Sequence, residues 1–320
     1  MALCTEKGMV KLKKSVIYIL LGAALWGTIG WYVKHLNALG FTAMEVVTLR
    51  VTTTAILLIT YVYITSPDEF KLHSFRDIKY FLGTGIFSII FFNYCLFTAI
   101  DHSTIPVATA LLYTAPAFVA ILSYFFFKEP FTRNKFIALS MTFIGTALVV
   151  GILPLDFQNV ERTSLLFGLG SGIGYAFYSI FSKFALEKYS SLTITTYTFT
   201  IASLVLLPFF PYSEKFHLLL DPIALIFALG LGFLPTALAY IIYTQGLLHI
   251  EASKASILAT VEPIVATLIG VFIFHETFTF TQMIGMACII GAVVLTQVYS
   301  QARVSDGCNH SPLPNSNRDQ

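Results

Sequence analysis

The sequence predicts an all-α polytopic membrane protein in which ten transmembrane helices form two inverted five-helix repeats. Three observations predict this fold: an apolar composition, ten uncharged stretches and an internal duplication. Of the 320 residues, 56% are hydrophobic and 11% are charged, whereas a soluble domain carries about 25% charged residues. Most of the stretches reach the roughly 20 residues that a helix needs to cross a bilayer, more than the roughly ten of a barrel strand. They are residues 15–33, 51–67, 80–100, 102–127, 136–155, 163–182, 189–213, 222–250, 255–275 (with one glutamate) and 277–302.

The first stretch follows four lysines and is predicted to be a retained helix. The alternative is a signal peptide, but the run is too long and lacks a small-x-small cleavage site. With the N-terminus in the cytoplasm, fifteen Lys and Arg residues fall on inner segments and three on outer segments, with Arg50 inside the second helix. This distribution satisfies the positive-inside rule. Both termini are therefore expected on the cytoplasmic side of the cell (inner or plasma) membrane.

The chain contains an internal repeat. A shift of 147 residues aligns "HSTIPVATALLYTAPAFVAILSYFFFKEPFT" (102–132) with "HIEASKASILATVEPIVATLIGVFIFHETFT" (249–279), and nine of the 31 positions are identical. Gly83 and Gly85 fall on Gly230 and Gly232, and near a shift of 149 Trp26 and Lys34 fall on Tyr175 and Lys183. The predicted organisation is a basic cytoplasmic N-terminus (1–14), a first repeat (15–151), an external linker (152–162), a second repeat (163–299) and a disordered cytoplasmic tail (300–320).

An odd number of helices per repeat inverts the second half relative to the first. Inverted repeats are the recurring architecture of secondary transporters, in which the substrate site lies near the midplane between the halves. The sequence therefore predicts a transporter that works by alternating access. A receptor or an intramembrane enzyme does not need this arrangement.

Glu262 is the strongest candidate site residue because it lies about ten residues into the ninth helix, near the midplane. A charge at that depth is costly unless it is paired or hydrated, so the default interpretation is functional. Three roles fit: a counter-charge for a substrate ammonium, a proton carrier, or a partner of Arg50. A structural glutamate that holds helices together is the alternative, and the sequence does not reveal its protonation state.

Arg50 lies about two turns into the second helix and could bind a substrate carboxylate through two hydrogen bonds. A structural ion pair with Glu45 or Glu262 is the favoured alternative. Pro116 and Pro263 are repeat equivalents that remove a backbone donor and kink their helices. They are candidate hinges for alternating access, although paired kinks could also simply shape two helices to fit a bundle.

Aromatic and polar residues near the middle of equivalent helices are candidate substrate contacts. An apolar cavity with a few convergent polar groups is typical of a small-molecule site. Tyrosine and tryptophan also anchor helices at the membrane interfaces, which is the alternative. The candidates are Trp26, Asn93, Tyr113, Tyr175 and Tyr240.

Several motifs resemble the two EamA domains of the drug/metabolite transporter superfamily. They are "FFFKEPFT" and "FIFHETFT" at the ends of the paired segments, "EP" in the ninth helix, "VVTLRVT" in the second and the closing "IGMACIIGAVVL". The resemblance covers about residues 15–299. It implies a ten-helix inner-membrane carrier, often an exporter of amino acids or related metabolites. The carboxylate is not duplicated, since Ala115 stands where the second repeat has Glu262.

The expected function is a secondary transporter that moves a small polar metabolite, an amino acid or related compound, across the cytoplasmic membrane, with export as the expected direction. A non-coupled facilitator or channel is the alternative. Enzymatic activity is not expected, because zinc-type "HExxH", paired membrane aspartates and "GxSxG" are missing from the sequence. No cofactor, metal or nucleic acid is expected, and the partners are a small-molecule substrate and membrane lipid. The substrate, the coupling ion and the oligomeric state are left open.

Overall fold

The computed structural model describes residues 2–151 and 161–309, with side chains for residues 10–151 and 161–297. Within this part of the chain, ten helices are long and apolar enough to cross a bilayer, which confirms the predicted number. They are α1 (Val10–Ala38), α2 (Ala43–Thr65), α3 (Phe75–Asp101), α4 (Ile105–Phe127), α5 (Arg133–Val150), α6 (Arg162–Ala185), α7 (Ser191–Phe209), α8 (Pro222–Leu247), α9 (Ala252–Phe274) and α10 (Phe280–Gln297).

The two repeats exchange one helix each with the opposite half. Gly83 of α3 allows Phe181 of α6 to pack closely, and Gly230 of α8 does the same for Tyr32 of α1. These are the same contact in the two repeats, because the sequence shifts relate Gly83 to Gly230 and Tyr32 to Phe181. Thus α3 packs into the second half and α8 into the first, as a pseudo-two-fold axis requires.

Two further helices, α5 and α10, pack mainly against each other. Their backbones approach closely at a pair of glycines, where a Cβ on Gly285 would lie 2.6 Å from the carbonyl oxygen of Gly145. Small residues permit such close packing in a membrane, where lipid removes the hydrophobic driving force between helices.

Both α4 and α9 are broken near the middle. The first consists of Ile105–Leu112 and Ala115–Phe127, and the second of Ala252–Ala259 and Glu262–Phe274. Pro116 and Pro263 each occupy the second position of the second half-helix, where a missing N–H costs little because that donor has no intrahelical partner. The prolines therefore start new half-helices instead of only kinking continuous ones.

Threonine hydroxyls donate to carbonyl oxygens next to the breaks. Backbone groups at membrane depth need a partner inside the protein. A third break lies in α1, which consists of a helix ending at Trp26 and the helix Ile29–Ala38. At the three breaks, Thr28, Thr114 and Thr260 each donate to the carbonyl oxygen three residues earlier, over 2.7, 2.6 and 2.6 Å.

Equivalent parts of α3 and α8 are π-helical, over Gly83–Ile90 and Phe233–Leu238. Such segments loosen the ladder of backbone hydrogen bonds and are frequent at functional sites. Thr236 uses the wider turn by donating to the carbonyl oxygen of Leu231 over 2.7 Å.

Local capping sets several helix starts. Thr132 caps α5 by accepting from the backbone N–H of Lys135 over 3.3 Å. Thr279 and Gln282 form a reciprocal capping box at the start of α10, a pattern that stabilises helix N-termini. A second box, Thr42 with Glu45, starts α2.

The C-terminal segment differs from the sequence prediction. The helix that contains α10 continues to Asn309, so the first ten residues of the predicted disordered tail are helical. Gln301, Ala302 and Arg303 have good helix propensity and extend a helix that is already formed. Residues 310–320 of that tail and 152–160 of the predicted linker lie outside the described residues.

Candidate substrate site between the two repeats

The candidate site lies where the helix breaks meet. The break in α1 lies against the break in α9, since a Cβ on Gly27 would lie only 2.8 Å from the carbonyl oxygen of Glu262. The break in α4 lies against α6, where a Cβ on Gly172 would lie 2.8 Å from the Thr114 hydroxyl. These two contacts are equivalent, because the repeat relates α1 to α6 and α9 to α4. Each joins one half to the other, so half-helix ends lie at the interface of the halves.

Glu262 is the first residue of the second half-helix of α9. The positive end of the helix dipole favours a negative charge at this position. Its carboxylate interacts electrostatically with Arg50, Tyr113, Tyr175 and Tyr240. The structure thus gathers four other predicted site residues around this carboxylate.

Arg50 is 5% exposed, and its Nε and Nη2 donors have no hydrogen-bond partner among the described residues. The predicted ion pair with Glu45 is wrong. Glu45 instead closes the capping box of α2 by accepting from the backbone N–H of Thr42 over 2.8 Å. It also pairs with Lys215 at 3.5 Å. Arg50 makes no ion pair with Glu262 either, within the described residues, so its two donors are free to face a ligand.

Trp26 is the centre of an aromatic cluster. Its ring centroid lies 4.9 Å from that of Tyr240, 4.8 Å from that of Tyr243 and 6.1 Å from that of Tyr175. The indole Nε1 is buried and has no partner in the described part of the chain. In contrast, the Tyr243 hydroxyl forms a 2.8 Å hydrogen bond with Ser179. The indole N–H is therefore a third unused donor in this region.

Two small cavities, each with room for about one water molecule, adjoin this cluster. One is lined by residues of α4, α6 and α9 that include Tyr113, Pro116 and Ser256. The other is lined by residues of α1, α3, α6 and α8 that include Trp26 and Tyr240. Tyr175 lines both cavities.

The remaining predicted residues fall into two groups. Pro116 lines a cavity and Pro263 starts a half-helix, so both lie at the breaks. Asn93 is buried, donates to the carbonyl oxygen of Ile89 over 2.7 Å and is not among the residues that line either cavity.

Tyr178 and Tyr243 belong to the same aromatic clusters in the sequence but are not among the predicted site residues, and both line the second cavity. The signal was available, because Tyr175 with Tyr178 and Tyr240 with Tyr243 are three apart and share a helix face. Among the described residues, no group of three His, Cys, Asp or Glu side chains is placed to hold a metal ion.

Comparison with known proteins decides the family. The EamA-like transporter family matches residues 13–151 and 162–298, which are the two repeats. The chain belongs to the EamA-like transporter family. It is 32% identical over 221 residues to an uncharacterized transporter of Archaeoglobus fulgidus, covering 69% of this chain and 77% of the relative. It is 24% identical to the uncharacterized inner membrane transporter YicL of Salmonella typhimurium, covering 91% of this chain and 97% of the relative.

A solved structure titled "Crystal structure of protein" supports the same fold. It matches this EamA-like chain with a TM-score of 0.72 at 16% identity, covering 89% of this chain and 98% of the solved one. The family match and the ten helices make the protein a multi-pass membrane transporter. The resemblance stated from the sequence motifs is thereby confirmed.

Proposed function

We propose that this EamA-like protein is a secondary transporter that exports a small polar metabolite, an amino acid or related compound, by alternating access. One observation carries the proposal. At the interface of two inverted repeats, a carboxylate at a half-helix N-terminus interacts electrostatically with Arg50. Nearby, the Nε and Nη2 atoms of Arg50 and the Nε1 atom of Trp26 are buried and have no hydrogen-bond partner among the described residues. Buried donors are normally paired, so an unpaired set that lies between the halves is explained by a ligand that completes it.

The charges suggest the chemical class of the ligand. The guanidinium of Arg50 and the Trp26 N–H suit a carboxylate, since arginine can bind one through two parallel hydrogen bonds. The carboxylate of Glu262 suits an ammonium. A zwitterion of amino-acid size satisfies all three groups, and the ring faces of Tyr175 and Tyr240 supply an apolar surface for its side chain.

Both termini are proposed to face the cytoplasm, since the excess of basic residues lies on the segments that would then be inside. The export direction rests on the resemblance to family members. Coupling to protons through Glu262 fits a carboxylate that the substrate and a proton can occupy in turn.

A flux experiment tests this function. The purified protein in liposomes should transport one member of a panel of labelled amino acids, sugars and nucleotides, and unlabelled substrate should compete. Glu262→Gln should lower this flux at least about tenfold while the protein still reaches the membrane. Glu214→Gln, on the short helix Tyr212–Leu219 outside the site, is the matched control and should transport normally.

Two results would count against the proposal. Flux that rises linearly without saturation or competition indicates a channel or facilitator instead. Normal flux and unchanged pH dependence in Glu262→Gln remove this residue from the site.

A further inference from the structure

The ends of α4 and α9 carry the same structural motif in the two repeats. Lys128 and His275 both adopt a left-handed conformation, with φ of 54° and 56°. The following glutamates, Glu129 and Glu276, donate their backbone N–H to carbonyl oxygens six residues earlier, over 3.2 and 3.1 Å. The backbone thus presents two equivalent carboxylates at opposite faces of the membrane.

Glu129 is 7% exposed and holds the start of α9. Its carboxylate accepts from the backbone N–H of Ala252 over 2.7 Å, from the N–H of Ser253 over 3.2 Å and from the Ser253 hydroxyl. Lys135 lies 3.8 Å from Glu129 and 3.0 Å from Glu251, so a buried cation links the carboxylates. We call the contact of Glu129 with Ala252 and Ser253 the inner gate, because the proposed topology puts it on the cytoplasmic side.

Glu276 makes a much weaker contact at the other face. Its side chain is 62% exposed and lies 3.7 Å from the half-exposed Lys34. The repeat relates Ala252 and Ser253 to Ile105 and Pro106 at the start of α4, and Glu276 makes no hydrogen bond to either residue in the described structure. We call this separated pair of ends, Glu276 with Ile105 and Pro106, the outer gate.

Exposure of equivalent residues agrees with one closed and one open gate. Ser256, one turn inside the inner gate, is 1% exposed. Its repeat equivalent Thr109, one turn inside the outer gate, is partly exposed. The equivalent position is therefore covered at the inner gate and partly uncovered at the outer gate.

The sequence makes the outer gate weaker even when it closes. Pro106 has no backbone N–H and no hydroxyl, so two of the three donors that Ser253 and Ala252 give to Glu129 have no counterpart. Thr104 already caps the start of α4 by accepting from the backbone N–H of Val107. Gln282 stands where Lys135 supplies a charge at the inner gate.

We infer that Glu129 is the latch of the inner gate, and that its unequal counterpart Glu276 leaves the empty carrier resting with its outer side open. This inference rests on the alternating access of the proposed function. A charge-assisted set of three hydrogen bonds closes one side, and a single available donor, the N–H of Ile105, closes the other. The empty carrier must then break these bonds and open the inner gate before substrate from the cytoplasm can reach the site.

Thiol labelling in vesicles tests the inference without any substrate. Ser256→Cys reports access from the inner face and Thr109→Cys reports access from the outer face, each in a protein with its native cysteines replaced by serine. Right-side-out and inverted vesicles are treated with a membrane-impermeant maleimide. In the otherwise unchanged protein, the thiol at position 109 should react from outside and the thiol at position 256 should be protected.

Glu129→Gln should raise the reaction rate at position 256 about tenfold and lower the rate at position 109, because charge-assisted bonds to α9 are lost. Glu276→Gln is the matched variant and should change both rates far less, since an exposed ion pair contributes little. The double variant Pro106→Ser with Gln282→Lys installs the missing partners of Glu276. It should lower the rate at position 109.

Three results would overturn the inference. One is equal shifts in Glu129→Gln and Glu276→Gln, which would mean that the two gates are equivalent. A second is an unchanged rate at position 109 in the double variant, which decides the matter even where Glu129→Gln does not fold. The third is rapid reaction of both thiols, each from its own face, in the same protein, which would also contradict alternating access. A flux assay that detects no transport would count against the proposed function but would leave the labelling result unchanged.

Discussion

At the scale of single residues, the protein holds polar groups in places where its own fold leaves them without partners. Arg50 and Trp26 are buried to the same extent, and both keep donors that no described residue accepts. Leaving a buried donor unpaired costs about 1–3 kcal/mol. This free-energy cost is explained if the donors bind a ligand. It also gives a way to distinguish a binding role from a structural one.

Trp26→Phe tests that separation. The variant keeps a ring that packs against Tyr240 and Tyr243 but removes the unpaired N–H. We expect the free energy of unfolding of the empty protein to be unchanged or about 1 kcal/mol higher, while the KM for transport rises severalfold. Thermal unfolding in detergent and liposome flux measure the two quantities. A large loss of stability with unchanged KM would assign Trp26 to packing alone.

At the scale of elements, the important feature is that α1, α4 and α9 are each interrupted at the site. At the break in α1, the chain passes within contact distance of the first turn of the second half-helix of α9. A Cβ at Gly27 would lie 2.7 Å from the Cβ of Val265 and 2.8 Å from the Glu262 carbonyl oxygen. Distances below 3 Å cannot be accommodated without movement of backbone, so glycine is required there for close approach.

Gly27→Ala should therefore displace the half-helix that begins at Glu262 and lower transport about tenfold or more. Gly30→Ala is a matched control, because a Cβ at Gly30 meets nothing within 4 Å. Alanine there should raise stability by about 0.5–1 kcal/mol through helix propensity and leave transport intact. Flux at equal protein density measures both variants. Equal activity in the two would show that α1 and α9 can separate freely at this point.

At the scale of the whole molecule, the two halves are alike inside and unlike at their ends. The glycine contacts with Phe181 and Tyr32 repeat in both halves, and so do the left-handed residues before the two gates. The charged network of Lys135, Glu251 and Lys254 occurs only at the inner gate within the described residues. This asymmetry ties the resting conformation to charge as well as to packing.

Acid should loosen the inner gate. Burial by itself raises the pKa of Glu251, but Lys135 and Lys254 beside it lower the pKa by more, so it lies below the ordinary value of glutamate. At a pH above the ordinary pKa of glutamate, Glu251 is ionised and its ion pairs fully stabilise the closed gate. This stabilisation is lost as the pH falls through the lowered pKa of Glu251. The loss is therefore expected below about pH 4.

Thermal stability in detergent between pH 7 and pH 3.5 measures this effect. The groups near Glu251 are Lys135, Lys254, Glu129 and Lys183. Glu251→Gln should be less stable at pH 7 and should lose less stability on acidification than the unchanged protein. Parallel pH curves for the two proteins would place the acid-sensitive group elsewhere.

Much of the fold was predictable because each property depends on residues that are near one another in the chain. The number of membrane helices follows from uncharged length, the repeat from aligned identities, and the caps at Thr132 and Thr279 from local side-chain chemistry. Its depth alone makes Glu262 a candidate site residue. The predicted pairing of Arg50 with Glu45 failed because a nearby threonine competes for that carboxylate through the capping box.

By itself, the sequence determined ten spans, two related halves and a carboxylate near the midplane, since hydropathy and duplication depend only on the order of residues along the chain. Only the tertiary structure decided that α4 and α9 break instead of bending, and that Arg50 and Trp26 keep donors that no described residue accepts. It alone decided that one gate is closed. Each of these depends on which distant groups reach a given atom, and that choice is made by packing between helices more than a hundred residues apart.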